Sequence, residues 1–441
     1  MSKTTAETQK PAEIEPRAGR WTVCAMLFVA TTINYVDRQV LSILKPVLAG
    51  STLHLQPLLP GWPTVEASIR LTDVQYGNIL AAFQVAYALG VVFAGRLVDR
   101  LGCRRGYPIV TGLWSLAAMG HALVNSVLGF SVARFLLGLG ESGNFPAAVK
   151  ATAEWFPPKE RALATGIFNS GASVGAILAP LAVPWVALHF GWRASFLITG
   201  LFSAIWIVWW SVRYRTPHQT RSAGAIVPVS PRKTPAVAWW KLLRYRQAWG
   251  FMVGKFLTDP VWWFFLFWLP QYFSSRFKLD LSHIGLPLVV VYLFSTVGSV
   301  FGGWLPRGYM HLGMALKKAR LTAMLTCACL VVPISVAGGL HSVWLAVGLL
   351  SLAAAAHQGW SANIFTTASD MFPGEHVGTV VSLGQVAGAL GGAIFQPVAG
   401  HILQFTHSFV PLFLFSGSAY LLALLLLRTL APGLERALPE E

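Results

Sequence analysis

Between residues 21 and 430, stretches of about twenty residues almost free of charge follow one another along the chain. A helix of that length spans the hydrocarbon core of a bilayer, where only structures that satisfy every backbone polar group internally persist. The apolar runs are solid rather than alternating, which excludes an outer-membrane barrel. Spans are expected near 21–44, 74–97, 107–125, 127–149, 162–185, 193–213, 248–272, 286–305, 320–338, 342–367, 378–402 and 408–430. The expected fold class is therefore an all-α membrane protein with twelve transmembrane helices. Composition agrees, with 55% hydrophobic residues and only 11% charged among 441, against about a quarter charged in soluble domains. A soluble enzyme, a disordered chain and a disulfide scaffold are excluded.

The formal charge of +16 would point to a nucleic-acid partner in a soluble chain. Here the distribution of basic residues explains it. With an even number of spans, both tails share one side of the membrane. Lys45, Arg70, Arg193, Arg276 and Lys278 lie on the other side, and Arg38, Arg134 and Lys255 lie inside spans; all remaining Lys and Arg fall on the side of the tails. The positive-inside rule makes that side cytoplasmic, with no nucleic-acid partner. The first 20 residues lack an apolar core, so no cleavable signal peptide is expected. Cys24, Cys103, Cys327 and Cys329 have no metal-ligand spacing and read as small apolar residues. No cofactor or metal is expected, and no Asn-x-Ser/Thr sequon occurs.

An internal repeat organises the spans. Gly171-Ala-Ser-Val-Gly175-Ala-Ile-Leu-Ala-Pro180 recurs as Gly388-Ala-Leu-Gly-Gly392-Ala-Ile-Phe-Gln-Pro397, and Phe156-Pro157 recurs as Phe372-Pro373. The two matches share nearly one offset and lie six spans apart, which predicts two pseudo-symmetric six-helix halves. The glycines alone are explained by close helix packing, whereas the shared spacing to proline is not. The expected organisation is a cytoplasmic tail at 1–20, a first half at 21–213, a cytoplasmic linker at 214–247 rich in Pro, Ser and Arg, a second half at 248–430, and a tail at 431–441. Parallel repeats of this kind put a substrate site near the midplane between the halves.

Six ionisable residues fall inside spans: Asp37, Arg38, Arg134, Glu141, Lys255 and Asp259. Each costs about 2.5–3.5 kcal/mol on the insertion scale, so each needs a reason. Lys255 and Asp259 are four apart and can pair on one helix, which leaves a self-neutralised pair and a site role as alternatives. Arg134 and Glu141 share a face but are separated by roughly 10 Å of helix rise. Asp37 and Arg38 point in different directions. These four need partners elsewhere: structural interhelical salt bridges are one explanation, and substrate or proton sites the other. The repeat places His357 opposite Glu141 in the other half. A buried carboxylate suits reversible proton carriage, while His357 fits either a proton role or a neutral donor to substrate.

The turn after the second span reads Gly95-Arg96-Leu97-Val98-Asp99-Arg100-Leu101-Gly102-Cys103-Arg104-Arg105. This resembles the signature loop of the major facilitator superfamily, and its position matches as well. The resemblance implies the major facilitator fold and a gating role for Gly95, Asp99, Arg100, Gly102 and Arg104, with Asp99 capping a helix or pairing across the halves. Thr32-Ile-Asn-Tyr-Val-Asp-Arg38, Phe83-Gln-Val-Ala-Tyr87, Arg134-Phe-Leu-Leu-Gly-Leu-Gly-Glu-Ser-Gly-Asn-Phe-Pro146, Gly166-Ile-Phe-Asn-Ser-Gly171 and Trp360-Ser-Ala-Asn363 narrow the resemblance to the anion:cation symporter family. Asp259-Pro-Val-Trp-Trp-Phe264 and Ala356-His-Gln-Gly-Trp360 look most like its hexuronate branch.

That resemblance implies proton-coupled import of a monocarboxylate sugar, such as glucuronate, galacturonate or galactonate, by a monomer in a bacterial inner membrane. Asp37 and Glu141 are then the expected proton sites. Tyr35, Arg38, Tyr87, Arg134, Asn169, Asp259, His357, Gln358 and Asn363 are the expected substrate contacts, with Arg134 steadying Glu141 or the carboxylate and the amides reading hydroxyls. Ala172, Ala389, Thr296 and the long segment 51–72 depart from the family pattern. Alternative readings are a transporter of another small organic anion, an exporter of neutral sugars or drugs, and a membrane-embedded enzyme. Arg38 and Arg134 speak against neutral cargo, and no catalytic triad, metal cluster or nucleotide loop supports an enzyme.

Overall fold

The computed structural model describes residues 19–50, 70–215 and 239–437. The N-terminal tail, most of segment 51–72 and most of the linker lie outside the described residues. Thirteen α-helices are described: α1 (Arg20–Leu48), α2 (Asp73–Gly120), α3 (Val127–Glu141), α4 (Asn144–Trp155), α5 (Pro158–Phe190), α6 (Trp192–Arg213), α7 (Trp239–Leu242), α8 (Arg246–Phe277), α9 (Gly285–His311), α10 (Leu316–Val331), α11 (Val343–Met371), α12 (Gly374–Thr406) and α13 (Val410–Leu430). A 3₁₀ segment, Val332–Gly339, extends α10. No strand occurs among the described residues.

These helices make twelve crossings, because α2 contains two, α3 with α4 makes one, and the four-residue α7 makes none. Within α2 the backbone leaves helical geometry at Gly102 (φ 71°, ψ 161°), a conformation that only glycine adopts freely. The chain folds back there, since a side chain at Gly106 would press on the backbone of Val98. The signature segment is thus helical almost throughout, with the reversal confined to one residue. The fourth crossing breaks after Glu141. Pro146 cannot donate to the carbonyl four residues earlier and its ring crowds that turn, so α3 ends and α4 begins across Ser142 and Gly143.

Eight described helices are long and apolar enough to cross a membrane by length and composition alone. The crossings outside that set are informative. They are α1, the broken α3–α4 pair and α8, which carry Asp37, Arg38, Arg134, Glu141, Lys255 and Asp259. Lipid-facing surfaces elsewhere expose large apolar side chains such as Leu116, Val208 and Leu425.

Helices α1–α6 and α8–α13 form the two halves, and the halves meet tightly at the end away from the basic residues. A capping box fixes the start of α2: Thr72 Oγ1 accepts from the Gln75 amide at 3.2 Å, and Gln75 Oε1 accepts from the Thr72 amide at 3.1 Å. Asp73, the next residue, pairs with Lys45 of α1 and accepts from Gln271 Nε2 of α8 at 2.7 Å, while its amide donates to Gln404 Oε1 of α12 at 3.1 Å. Tyr76 donates to the Phe267 carbonyl at 2.8 Å. Gly77 lies against the Gln396 carbonyl, Gly400 against that of Asp73 and Gly285 against that of Pro180, contacts that leave no room for a side chain. At the basic end the described ion pairs stay within one half, as in Arg20–Glu160, Lys150–Asp99 and Arg320–Asp370. The space between the halves is sealed at the far end and widens toward the basic end.

Candidate functional site

A cavity of about 580 Å³ lies between the halves, lined by α1–α5 on one side and by α8, α9, α11 and α12 on the other. At its sealed end Arg38 Nε lies 2.5 Å from Glu141 Oε2. Glu141 is the last residue of α3, so the break in the fourth crossing sets its position. Four aromatic rings surround the Arg38 guanidinium: Tyr35 at 4.9 Å, Tyr87 at 5.0 Å, Trp263 at 5.5 Å and Phe83 at 5.7 Å. Trp263 comes from the opposite half, so this cage also holds the halves together. Ring faces attract a cation without neutralising it. The terminal guanidinium nitrogens have no hydrogen-bond partner among the described residues, and they form the planar fork that suits a carboxylate.

The opposite wall carries the second charge pair, Lys255 Nζ to Asp259 Oδ1 at 2.9 Å, as the four-residue spacing predicts. Pro260 follows Asp259 and leaves the Phe256 carbonyl without its helical donor; Gly391 of α12 packs directly against that oxygen. Gly388 lies against the Asp259 carboxylate in the same way. His357 stacks on Trp262, with ring centroids 5.1 Å apart and planes within 3°, and its Nδ1 is 2.5 Å from the Tyr420 hydroxyl. Thus His357 reaches the cavity from the half opposite Glu141, held by a ring on one side and a phenol on the other.

Of the residues singled out from sequence, the structure brings Tyr35, Arg38, Tyr87, Glu141, Asn169, Asp259, His357 and Gln358 to this one cavity. Three others lie elsewhere. Asp37 is 2% exposed and turned toward α6, where Ser203 donates to its Oδ2 at 3.4 Å. Arg134 is fully buried and donates through one terminal nitrogen to the Arg38 carbonyl at 3.2 Å; among the described residues no carboxylate lies within 4.0 Å of it. It therefore supports the backbone at Arg38 rather than touching Glu141. Asn363, expected to read hydroxyls, donates to the carbonyls of Gly302 at 2.7 Å and Gly359 at 2.8 Å, and so ties α9 to α11. Its amide is used where two glycine-rich helices approach too closely for other side chains.

Asp99 differs from expectation as well. It pairs with Lys150 of α4 at 3.0 Å, and Lys150 also donates to the Val98 carbonyl at 2.9 Å. This contact lies inside the first half, because the halves are apart at the basic end. Arg320 and Asp370, paired at 2.6 Å in the second half, stand 216 residues after Arg104 and Glu154. The turn after the eighth crossing, with Gly302, Gly303, Arg307, Lys317, Lys318 and Arg320, is a degraded copy of the signature loop that lacks its acid but keeps this basic–acidic spacing.

Several wall residues were not assigned from sequence. Asn34, one helical turn before Arg38, has both amide atoms buried and unpartnered. Thr31, Ser173, Ser295, Ser299, Ser361 and Gln385 add hydroxyls and an amide. A signal existed for Ser295, Thr296 and Ser299, since hydroxyls at i, i+1 and i+4 mark one face of an otherwise apolar span. Lys255 was visible as an in-span cation whose pairing with Asp259 left a site role open.

The family model described as Major Facilitator Superfamily matches residues 27–396. The Hexuronate transporter of Escherichia coli (strain K12) is 30% identical over 407 residues, covering 89% of this chain and 90% of the relative. The Galacturonate transporter of Dickeya chrysanthemi is 31% identical over 297 residues, covering 65% and 81% respectively. Among solved structures, that of a D-xylose-proton symporter superposes with a TM-score of 0.72 at 14% identity, covering 95% of this chain and 99% of the other; this likeness concerns the fold.

Proposed function

The chain belongs to the Major Facilitator Superfamily, and on that basis we propose that it imports an anionic sugar acid together with protons, by alternating access across a bacterial inner membrane. The observation that carries this reading is the Arg38–Glu141 pair at the sealed end of the cavity. A cargo carboxylate that takes the terminal nitrogens of Arg38 competes with Glu141 for the same cation. Once displaced, Glu141 is a buried carboxylate without its partner, and such a group favours the protonated form. Cargo and proton then load together, and the charge at the site is unchanged. Asn34, Asn169 and Gln358, with the hydroxyls of α9, supply donors and acceptors for sugar hydroxyls. A neutral sugar would leave the caged arginine without an anion, and a site built around a polar partner discriminates strongly against ligands that lack it.

In this reading the basic end is cytoplasmic, the linker at 214–247 lies on that side, and the structure is the inward-open state. The Asp73 cluster at the far end is the closed external gate. Relatives named for hexuronate and galacturonate transport support the cargo class. The test is uptake of labelled glucuronate, galacturonate and galactonate into vesicles with an imposed pH gradient, with glucose and galactose as neutral controls. Gradient-driven accumulation of one of the acids, without the hexoses, is expected. Equal uptake of the neutral hexoses would overturn the anion site, and accumulation indifferent to the pH gradient would overturn the coupling.

A further inference from the structure

We propose that Gln84 is a positioning residue of the transport cycle: buried with both amide atoms unspent where α2 meets α12, it works against the closed external end and so lets that end open. This rests on the alternating-access part of the reading above and is independent of the cargo.

At the sealed end the halves meet along two seams related by an internal repeat. Gly77, Gly90 and Gly95 of α2 stand at one constant offset from Gly285, Gly298 and Gly303 of α9. Gly77 packs on the Gln396 carbonyl of α12, and Gly285 packs in the same way on the Pro180 carbonyl of α5. The same offset carries Gln84 onto Tyr292. Both side chains are fully buried, yet their polar atoms fare differently. The Tyr292 hydroxyl donates to the Phe265 carbonyl at 3.0 Å, inside its own half. The Gln84 amide has no partner on either atom among the described residues. It lies across the seam against Gly392, where a side-chain carbon would come within 3.1 Å of Gln84 Cδ, 3.3 Å of its Nε2 and 3.1 Å of Trp263 Cδ1. Gln396, one turn further along α12, accepts from Trp268 Nε1 at 2.6 Å and leaves its own Nε2 unpartnered.

A buried amide without partners forfeits the hydrogen bonds it would make with water, so each such atom raises the free energy of the closed arrangement. Methionine would fill about the same volume without that cost. The contacts that hold the end shut pull the other way: Asp73 with Lys45, Gln271 and Gln404, and Tyr76 on the Phe267 carbonyl. Gln84 offsets part of that hold, and an equilibrium moves only by the difference in free energy between its two states. Parting of α2 from α12 takes the amide out of the seam and into the opened cavity, where water satisfies it. Tyr292 keeps its bond in either state, because donor and acceptor belong to one half. Opening is therefore favoured along α2 and α12, beside Arg38, whose cage takes Phe83 and Trp263 from the two sides of this seam.

The test is sided labelling of Thr296→Cys, on the cavity wall, in the full-length chain without its native cysteines. An impermeant maleimide is added to vesicles that present either the external or the cytoplasmic face. Gln84→Met and Gln84→Leu should each slow labelling from outside by about fivefold or more. Labelling from the cytoplasmic face should be unchanged or faster, and the melting midpoint in detergent should not fall. Adding Asp73→Ala to Gln84→Met should bring external labelling back toward the native rate, since the two changes act in opposite directions on one equilibrium. External labelling within about twofold of native in both apolar variants, equal slowing from both faces, or a lowered melting midpoint in both would overturn the role of Gln84 and leave alternating access standing. No external labelling of the native chain or of Asp73→Ala would overturn alternating access, and this proposal with it.

Discussion

Arg38 and Glu141 form an ion pair between α1 and the broken fourth crossing, at 2.5 Å, with the glutamate fully buried and the arginine side chain 5% exposed. Buried pairs of this kind give little net stability, because the desolvation of both ions offsets their attraction. In the proposed transport cycle this pair is the position at which cargo exchanges for one partner.

Arg38→Lys should lower sugar-acid uptake by a hundredfold or more, although the charge is kept. Lysine offers neither the planar fork nor the flat cation that fits among Tyr35, Tyr87, Phe83 and Trp263. Initial rates in reconstituted vesicles measure this, normalised to folded protein. Uptake within a few-fold of the native rate would show that the site needs only a positive charge.

Glu141→Gln should abolish accumulation driven by a pH gradient and leave exchange at equal concentrations largely intact, since exchange requires no net proton release. Counterflow of labelled substrate measures the second property. Full gradient-driven uptake by this variant would remove Glu141 from coupling.

Asp73→Ala takes away the acceptor shared by Lys45 and Gln271 and leaves Lys45, 4% exposed, without its counter-ion. The closed far end should weaken relative to the open arrangement. In a background without native cysteines, a cysteine at Ser295 on the cavity wall should then react several-fold faster with an impermeant maleimide added from outside. An unchanged rate would mean that the glycine contacts and Tyr76 hold that end by themselves.

Gly298→Val places branched carbons into the backbone of Ala355, where α9 meets α11. Overpacking of this kind costs about 1–3 kcal/mol. A drop of several degrees in the melting midpoint of the detergent-solubilised protein is expected, with Gly303→Val, where the structure leaves open space, as the control that should not change it.

How much the sequence settles differs from residue to residue. Span number follows from apolar run length, because hydrocarbon admits only satisfied helices, and the two halves follow from the Gly171–Pro180 and Gly388–Pro397 repeat. In-span charge identified Arg38, Glu141, Lys255 and Asp259, since its cost of insertion is a property of the residue and its depth. The Lys255–Asp259 contact followed as well, being local to one helix. Partners on different helices did not. Spacing could say that Arg134 and Glu141 are too far apart to pair, but only the packing of α1 against the broken fourth crossing joined Glu141 to Arg38 and turned Asp37 toward Ser203. Asn363 sits in a motif that pointed to substrate, and the approach of α9 and α11 used its amide for their own carbonyls. Which end is closed was likewise undetermined, because the apolar runs and the repeat are the same whichever end the two halves meet at; the contacts of Asp73, Tyr76 and Gly77 across the halves decided it. Helix formation and burial are local or compositional and can be computed along a chain, whereas a contact between helices far apart in sequence depends on the tilt and rotation of both, which no single segment encodes.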